Sequence, residues 1–232
     1  MKTKGLVPRI WRFCKKLLLF LFIAQFVYII LLKWINPPVT LTQLGAVFSG
    51  YGLKRDYVNH EEISRNMRLA VIAAEDQLFA DHSGFDWKSI EKALEYNKRK
   101  PGRIHGASTI SQQTAKNVFL WQGRDWIRKG LEIYFTFMIE KIWGKKRILD
   151  VYLNVIETGP GIFGAEAAAQ QYFKKPAAKL SRAEAARITA CLPNPQKLIA
   201  VPAGRYVSAR SFQIQRQMSN LDSDDDIKKI ID

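Results

Sequence analysis

The sequence predicts a mainly α-helical domain carried behind a single N-terminal transmembrane helix. Three observations predict it. A purely basic tail is followed by an apolar run, most of the remaining chain repeats apolar residues every three or four positions, and alternating strand patterns are scarce. The 232 residues suffice for one domain with a substantial core plus an appendage. An apolar content of 47% with 25% charged residues excludes a disordered chain, and no repeat or low-complexity tract is visible.

Residues 1–16 form a basic tail, with Lys2, Lys4, Arg9, Arg12, Lys15 and Lys16 and no acidic residue. Residues 17–35 read LLLFLFIAQFVYIILLKWI. This stretch predicts one membrane crossing, with Lys16 and Lys33 snorkelling and Trp34 at the interface. No small-residue cleavage pattern follows, which argues against a signal peptide. The positive flank places the N-terminus in the cytoplasm and everything after about residue 36 outside it. Asn36, Pro37 and Pro38 stop the helix and open a linker over 36–59, with at most a small hairpin near 39–58.

From 60 to 232 the spacing predicts helices. Ile63, Met67, Val71, Ala74 and Leu78 form one apolar stripe. Thr109 and Gln112 form a capping-box pattern before a helix reaching about Leu120. Another helix spans roughly 125–143. A further one begins near Lys145, with Ile148, Leu149, Tyr152 and Leu153 inward. Gly159, Pro160, Gly161 and Gly164 mark a loop. Ser181 and Glu184 form a second capping box before a helix that Pro193 ends, and a last helix covers 205–219.

The formal net charge is +15; residues 36–232 retain 29 basic against 21 acidic residues. No dense basic run with interleaved aromatics occurs there, so nucleic acid is not the expected partner. Anionic headgroups or a pyrophosphate-bearing substrate fit the excess better. Cys14 and Cys191 fall on opposite sides of the crossing, so no intrachain disulfide is expected, and neither has metal-site spacing.

Three segments could carry chemistry. AVIAAEDQLFADHSGFDW holds Glu75, Asp76, His82 and Asp86, with Glu75 bordering an apolar stripe that disfavours its charged form. An exposed acidic helix end is the alternative. GASTISQQTAKNVFL sets Gly106 and Ala107 before a capped helix, where backbone amides form an anion site. One face of that helix presents Gln112, Gln113 and Lys116 to a phosphate, unless it is merely solvated. Arg128 and Lys129 lie four and three residues before Glu132; as a surface pair this contributes only about 0.3–0.5 kcal/mol. Phe119, Leu120, Trp121, Trp126, Ile127, Tyr134, Phe135, Phe137 and Met138 surround it, as core or as a surface dipping into lipid.

Taken in order, EDxxFxxHxGxD from Glu75 to Asp86, GxSTIxQQxAKN from Gly106 to Asn117, RKxxE from Arg128 to Glu132, and KxRILxxYLN from Lys145 with the following AAxxYF resemble the peptidoglycan glycosyltransferases of family 51, in their monofunctional biosynthetic transglycosylase branch. The resemblance runs from about residue 60 to the C-terminus. It implies a lysozyme-like helical fold and, in a bacterial inner membrane, polymerisation of lipid II into β-1,4-linked glycan strands for the cell wall. It makes Glu75 the general base and Glu132 the second catalytic carboxylate. Ser108, Thr109, Gln113, Lys116, Arg128 and Lys145 become ligands of phosphate and sugar, with Asp76, His82, Gln112, Asn117 and Lys129 counted among the substrate-binding residues. Glu132 either holds a divalent cation, Mg²⁺ or Mn²⁺, or orients Lys116 and Arg128. Expected partners are the membrane, lipid II, a lipid-linked glycan strand and other cell-wall synthases or division proteins. No room is expected for a transpeptidase domain after Asp232. Ala107 departs from the family's second glycine and Asp150 from its common glutamate. A lytic or lysozyme-like enzyme and a non-catalytic division scaffold are the competing readings; Lys116 with Arg128 disfavours the first, and retention of Glu75 and Glu132 the second.

Overall fold

In the computed structural model, residues 6–100, 106–123 and 125–232 are described. Lys2 and Lys4 of the basic tail lie outside the described residues. The chain divides into Met1–Asn36 and Pro37–Asp232.

The first unit is helix α1, Leu6–Leu31. Within it Pro8–Leu31 has a mean hydropathy of 2.0 and is long and apolar enough to cross a membrane. Its 24 residues extend roughly 36 Å at 1.5 Å per residue. The helix starts earlier than the apolar run, taking in Arg9, Arg12, Lys15 and Lys16 of the basic tail.

The second unit is mainly helical, as expected. Its first element corrects the sequence reading, because 39–58 is not a hairpin. Thr40 and Gln43 cap each other in a reciprocal box and start α2, Leu41–Phe48. Only β1, Lys54–Arg55, is extended there. Helix α3, Arg65–Glu75, begins on the Ser64 side chain and buries Met67 through Ala73 continuously. It stops short of Leu78, which lies outside it and is exposed. An unanticipated helix follows, α4, Trp87–Arg99, capped by Asp86 and with no buried residue.

Helices α5 (Ile110–Phe119), α6 (Trp126–Ile142) and α7 (Lys145–Val155) fall where spacing put them. The Thr109–Gln112 capping box is present, and Ile148, Leu149, Tyr152 and Leu153 point inward. The glycine-rich segment is a tight hairpin rather than an open loop. Its strands β2 (Glu157–Gly159) and β3 (Ile162–Phe163) pair antiparallel, and β1 joins β3 in parallel. Gly161 makes this close approach possible: it has φ +67°, and an added Cβ would lie 2.3 Å from the Tyr51 carbonyl oxygen.

Helices α9 (Arg182–Thr189) and α10 (Arg205–Leu221) complete the expected set, with the Ser181–Glu184 box closing the start of α9, and α8 (Ala165–Phe173), which the spacing does not announce, precedes them. A final helix, α11 (Asp225–Ile231), escapes sequence reading because its acidic start resembles a solvated tail. Asp224 caps it, and Ile227, Ile230 and Ile231 are buried. Helix α3 packs against α9 and α10, while α5 packs against α6 and α7. The carboxyl end of α3 and the start of α5 both border the cleft described next.

Candidate active site

A cleft of about 880 Å³ opens where α3 ends, lined by Glu75, Asp76, Asp86, Ser89, Ser108, Thr109, Gln113 and Arg210 among others. Glu75 is the last residue of α3 and half-buried. Its Oε2 accepts from Gln113 Nε2 at 2.9 Å. Burial pushes its carboxyl above the usual carboxylate range, opposed by the Gln113 hydrogen bond and by the charges of Arg210 and Lys116. A carboxylate raised this way is a stronger proton acceptor than one in water.

Asp76 and His82 join two walls of the cleft. Gly84 N–H donates to His82 Nδ1 at 3.1 Å, so Nε2 carries the proton donated to Asp76 at 2.9 Å. The other Asp76 oxygen accepts from Ile110 N–H at 2.9 Å. This ties the chain after α3 to the first turn of α5. Gly84 is required for the fit: at φ +93°, a Cβ there would sit 2.8 Å from Thr136 Cγ2.

Three amides at the start of α5 are engaged within the protein. Thr109 N–H donates to Gln112 Oε1, Ile110 N–H to Asp76 and Gln112 N–H to Thr109 Oγ1. Those amides are spent inside the protein. Gln112 is buried in the cap, so it does not share the exposed face with Lys116. Thr109 is also buried, and its hydroxyl donates to the Gly84 carbonyl at 2.7 Å.

A second cluster lies farther along α5, against α6. Glu132 is buried and accepts from Arg128 Nη1 at 2.6 Å and from Lys129 Nζ at 2.5 Å. Half-buried Lys116 joins them: burial lowers its pKa, Glu132 and Glu75 raise it, and Arg128 and Lys129 lower it further. Lys116 therefore feels both carboxylates. Three cations surround one carboxylate, leaving an excess of positive charge. Among the described residues, Arg128 Nε and Asn117 Nδ2 are buried donors without a partner. An anionic ligand would satisfy them.

A divalent cation does not suit this cluster. Both Glu132 oxygens face cationic donors, and no group of three or more His, Cys, Asp or Glu that could hold a metal occurs among the described residues. In this arrangement Glu132 orients Arg128 and Lys129.

Lys145 is separate again. It pairs with Glu140 at 2.7 Å and lies 4.6 Å from the Phe79 ring centre, while Glu140 also accepts from Ser111 Oγ. It is not among the residues lining the cleft. Glu140, Tyr152 and Arg210 are the neighbours that sequence reasoning missed. Arg210 sits at the edge of the buried stripe of α10 and donates to the Ala74 carbonyl at 3.2 Å, across 136 residues of chain. No local spacing signals such a partner.

The aromatic stretch divides between the two alternatives. Phe119 stacks on Phe135 with ring centres 4.6 Å apart and Trp143 beside them. Helix α6 is otherwise largely inverted: Arg128, Glu132 and Thr136 are buried together with Ile139, while Trp126, Ile127, Leu131, Ile133 and Phe137 are exposed.

A profile of the transglycosylase family matches residues 42–219. A biosynthetic peptidoglycan transglycosylase from Aeromonas hydrophila is 50% identical over 210 residues, covering 89% of each chain. One of the same name from Shewanella oneidensis is 48% identical over 219 residues, covering 93% of this chain and 94% of its own. A third, from Escherichia coli, is 59% identical over 172 residues, covering 74% of this chain and 71% of its own.

Proposed function

The chain belongs to the transglycosylase family, and from that premise we propose that it is a peptidoglycan transglycosylase. In this reading it polymerises lipid II into β-1,4-linked glycan strands and releases undecaprenyl pyrophosphate. The observation that carries the reading is the pairing of a proton acceptor with an anion site. Glu75, raised by burial, lines the cleft, and Lys116 links its field to the cations around Glu132.

The chemistry follows from those positions. Glu75 takes the proton from the 4-hydroxyl of the acceptor's N-acetylglucosamine. That oxygen attacks the anomeric carbon of the donor's N-acetylmuramic acid, and the bond to pyrophosphate breaks with inversion. Lys116, Arg128 and Lys129 stabilise the charge that develops on the leaving group. Glu132 holds two of these cations in place. Ser108 and Gln113, which line the cleft, bind sugar in this reading, and Asp76, His82, Thr109 and Gln112 hold the wall that carries them.

Helix α1 serves in this proposal as an anchor, with the N-terminus in the cytoplasm and the catalytic unit outside. Purified protein mixed with lipid II tests the activity: glycan polymer is expected. Cleavage of preformed glycan without polymerisation would replace the reading by a lytic one, and no reaction with either would reject both. A reporter fused after Asp232 that works only in the cytoplasm would overturn the orientation.

A further inference from the structure

We propose that Tyr152 is a positioning residue for the catalytic base: its hydroxyl fixes the side-chain amide of Gln113 so that the amide nitrogen faces Glu75. The inference rests on reading Glu75 as the base, and its test separates the two.

Tyr152 projects from α7 into the contact with α5 and is fully buried. Its hydroxyl donates to Gln113 Oε1 at 3.1 Å, and Gln113 Nε2 donates to Glu75 Oε2 at 2.9 Å. The same nitrogen lies 3.5 Å from the Ser108 carbonyl oxygen. Three elements, α7, α5 and α3, thus join in a chain of donors ending on the carboxylate.

The direction of this chain matters. A glutamine amide turned end for end presents its oxygen where its nitrogen was. Here that would set oxygen against the Glu75 carboxylate and the Ser108 carbonyl, and would leave the buried Tyr152 O–H without an acceptor. Ionised Glu75 resists the flip by itself. Once Glu75 has accepted a proton, it can donate to a flipped Gln113, and the turn is then opposed by Tyr152, through the closer contact, together with the Ser108 carbonyl. Tyr152 therefore returns the site to its proton-accepting arrangement after each transfer. Burial keeps the Tyr152 phenol well above its usual range, so it remains a donor throughout.

The other charges facing Glu75 are Arg210 on α10, Lys116 on α5 and the neighbouring Asp76. None of them contacts Tyr152 by hydrogen bond among the described residues, so removing its hydroxyl leaves their positions in place. A hydrogen bond to the charged form lowers a carboxyl pKa. Loosening Gln113 therefore raises that of Glu75.

The test is Tyr152→Phe in the full chain, which removes one oxygen atom. Glu75 is titrated directly by carboxyl ¹³C NMR, and lipid II turnover is measured against pH. Glu75 should titrate at higher pH in the variant, by about half to one unit, equivalent to roughly 3- to 10-fold less ionised carboxylate on the acid limb. The double variant with Gln113→Ala should shift no further than Gln113→Ala alone, because both act through one amide. An unmoved Glu75 titration in folded Tyr152→Phe, or shifts that simply add, overturns the proposal. A shifted titration with an unshifted rate profile keeps Tyr152 as the positioning residue and removes Glu75 as the base. If Tyr152→Phe does not fold, 3-fluorotyrosine at 152 replaces it. Its more acidic hydroxyl is a stronger donor, so Glu75 should then titrate lower, and no movement overturns the proposal.

Discussion

Arg128 Nη1 donates to Glu132 Oε2 at 2.6 Å across one turn of α6, with both side chains buried. The second carboxylate oxygen is taken by Lys129. Glu132 thus spends its charge on two cations and acts on a substrate through them. Glu132→Gln would place an amide N–H against one of these cations and disperse the cluster. Turnover of lipid II should fall by about 10²- to 10³-fold, the usual loss for one preorganised electrostatic element. The loss should be the same in chelator as with added Mg²⁺ or Mn²⁺. Recovery of the variant by excess metal would assign Glu132 the cation-holding role instead.

Glu75→Gln separates activity from stability. A general base is typically worth about 10² to 10⁴ in rate, and the amide keeps the size of the side chain. Burial raises the Glu75 pKa above its unfolded value, so the fold favours the protonated form. Ionisation therefore costs stability as pH rises from the unfolded pKa through the folded one, and below the unfolded pKa the cost vanishes. At neutral pH the variant should melt at a higher temperature than the parent while turnover collapses. Lower stability at pH 7 with unchanged stability at low pH would show that the ionised carboxylate is welcome in the fold, contrary to this account.

The same shift sets the acid limb of the rate profile above the ordinary carboxylate range. Arg210 opposes it, since its positive charge favours the ionised form of Glu75. Arg210→Gln should move the limb to still higher pH, and added salt should move the parent the same way by screening that attraction. A limb that stays in place in Arg210→Gln would leave Arg210 with only its bond to the Ala74 carbonyl.

Much of this architecture was legible because local chemistry and tertiary structure agree. Thr109 with Gln112 and Ser181 with Glu184 cap the helices their spacing announces, and Tyr152 points inward as its period demands. The misses share a physical cause. Thr40 and Gln43 form the same kind of box, but on a helix of only eight residues just after two prolines, too short for a clear period. The acids before α11 cap a helix whose three isoleucines are buried by distant elements. At the site, Glu75 and Glu132 stand out as carboxylates beside apolar surface. Arg210 and the Tyr152 hydroxyl do not, because their partners come from other helices and no periodicity records them. Gln112 reads two ways in the sequence, as the cap partner of Thr109 and as part of a ligand face, and the fold shows that the cap role buries it.

The outward face of α6 carries the last prediction. A soluble helix turns its apolar side inward, yet here Arg128, Glu132 and Thr136 are buried while Trp126 is 92% exposed and Ile127 74% exposed. Phe137 lies on the exposed side as well. Such a face leaves water favourably only against another apolar phase, and the lipid-linked substrate proposed for this chain would place its cleft beside a bilayer. Burying a large apolar side chain fully is worth about 1.5–3 kcal/mol. Partial insertion of three such residues is then worth on the order of 3 kcal/mol, or about 10²-fold in partitioning. A chain beginning at Pro37 should bind vesicles without α1, and Trp126→Ser, Ile127→Ser and Phe137→Ser together should weaken that binding by about this factor. Because these side chains are exposed, melting temperature should change little. Equal vesicle binding by the parent and the triple variant in a flotation assay would assign this face to a protein partner instead of lipid. A large fall in melting temperature would mean that these residues are core after all.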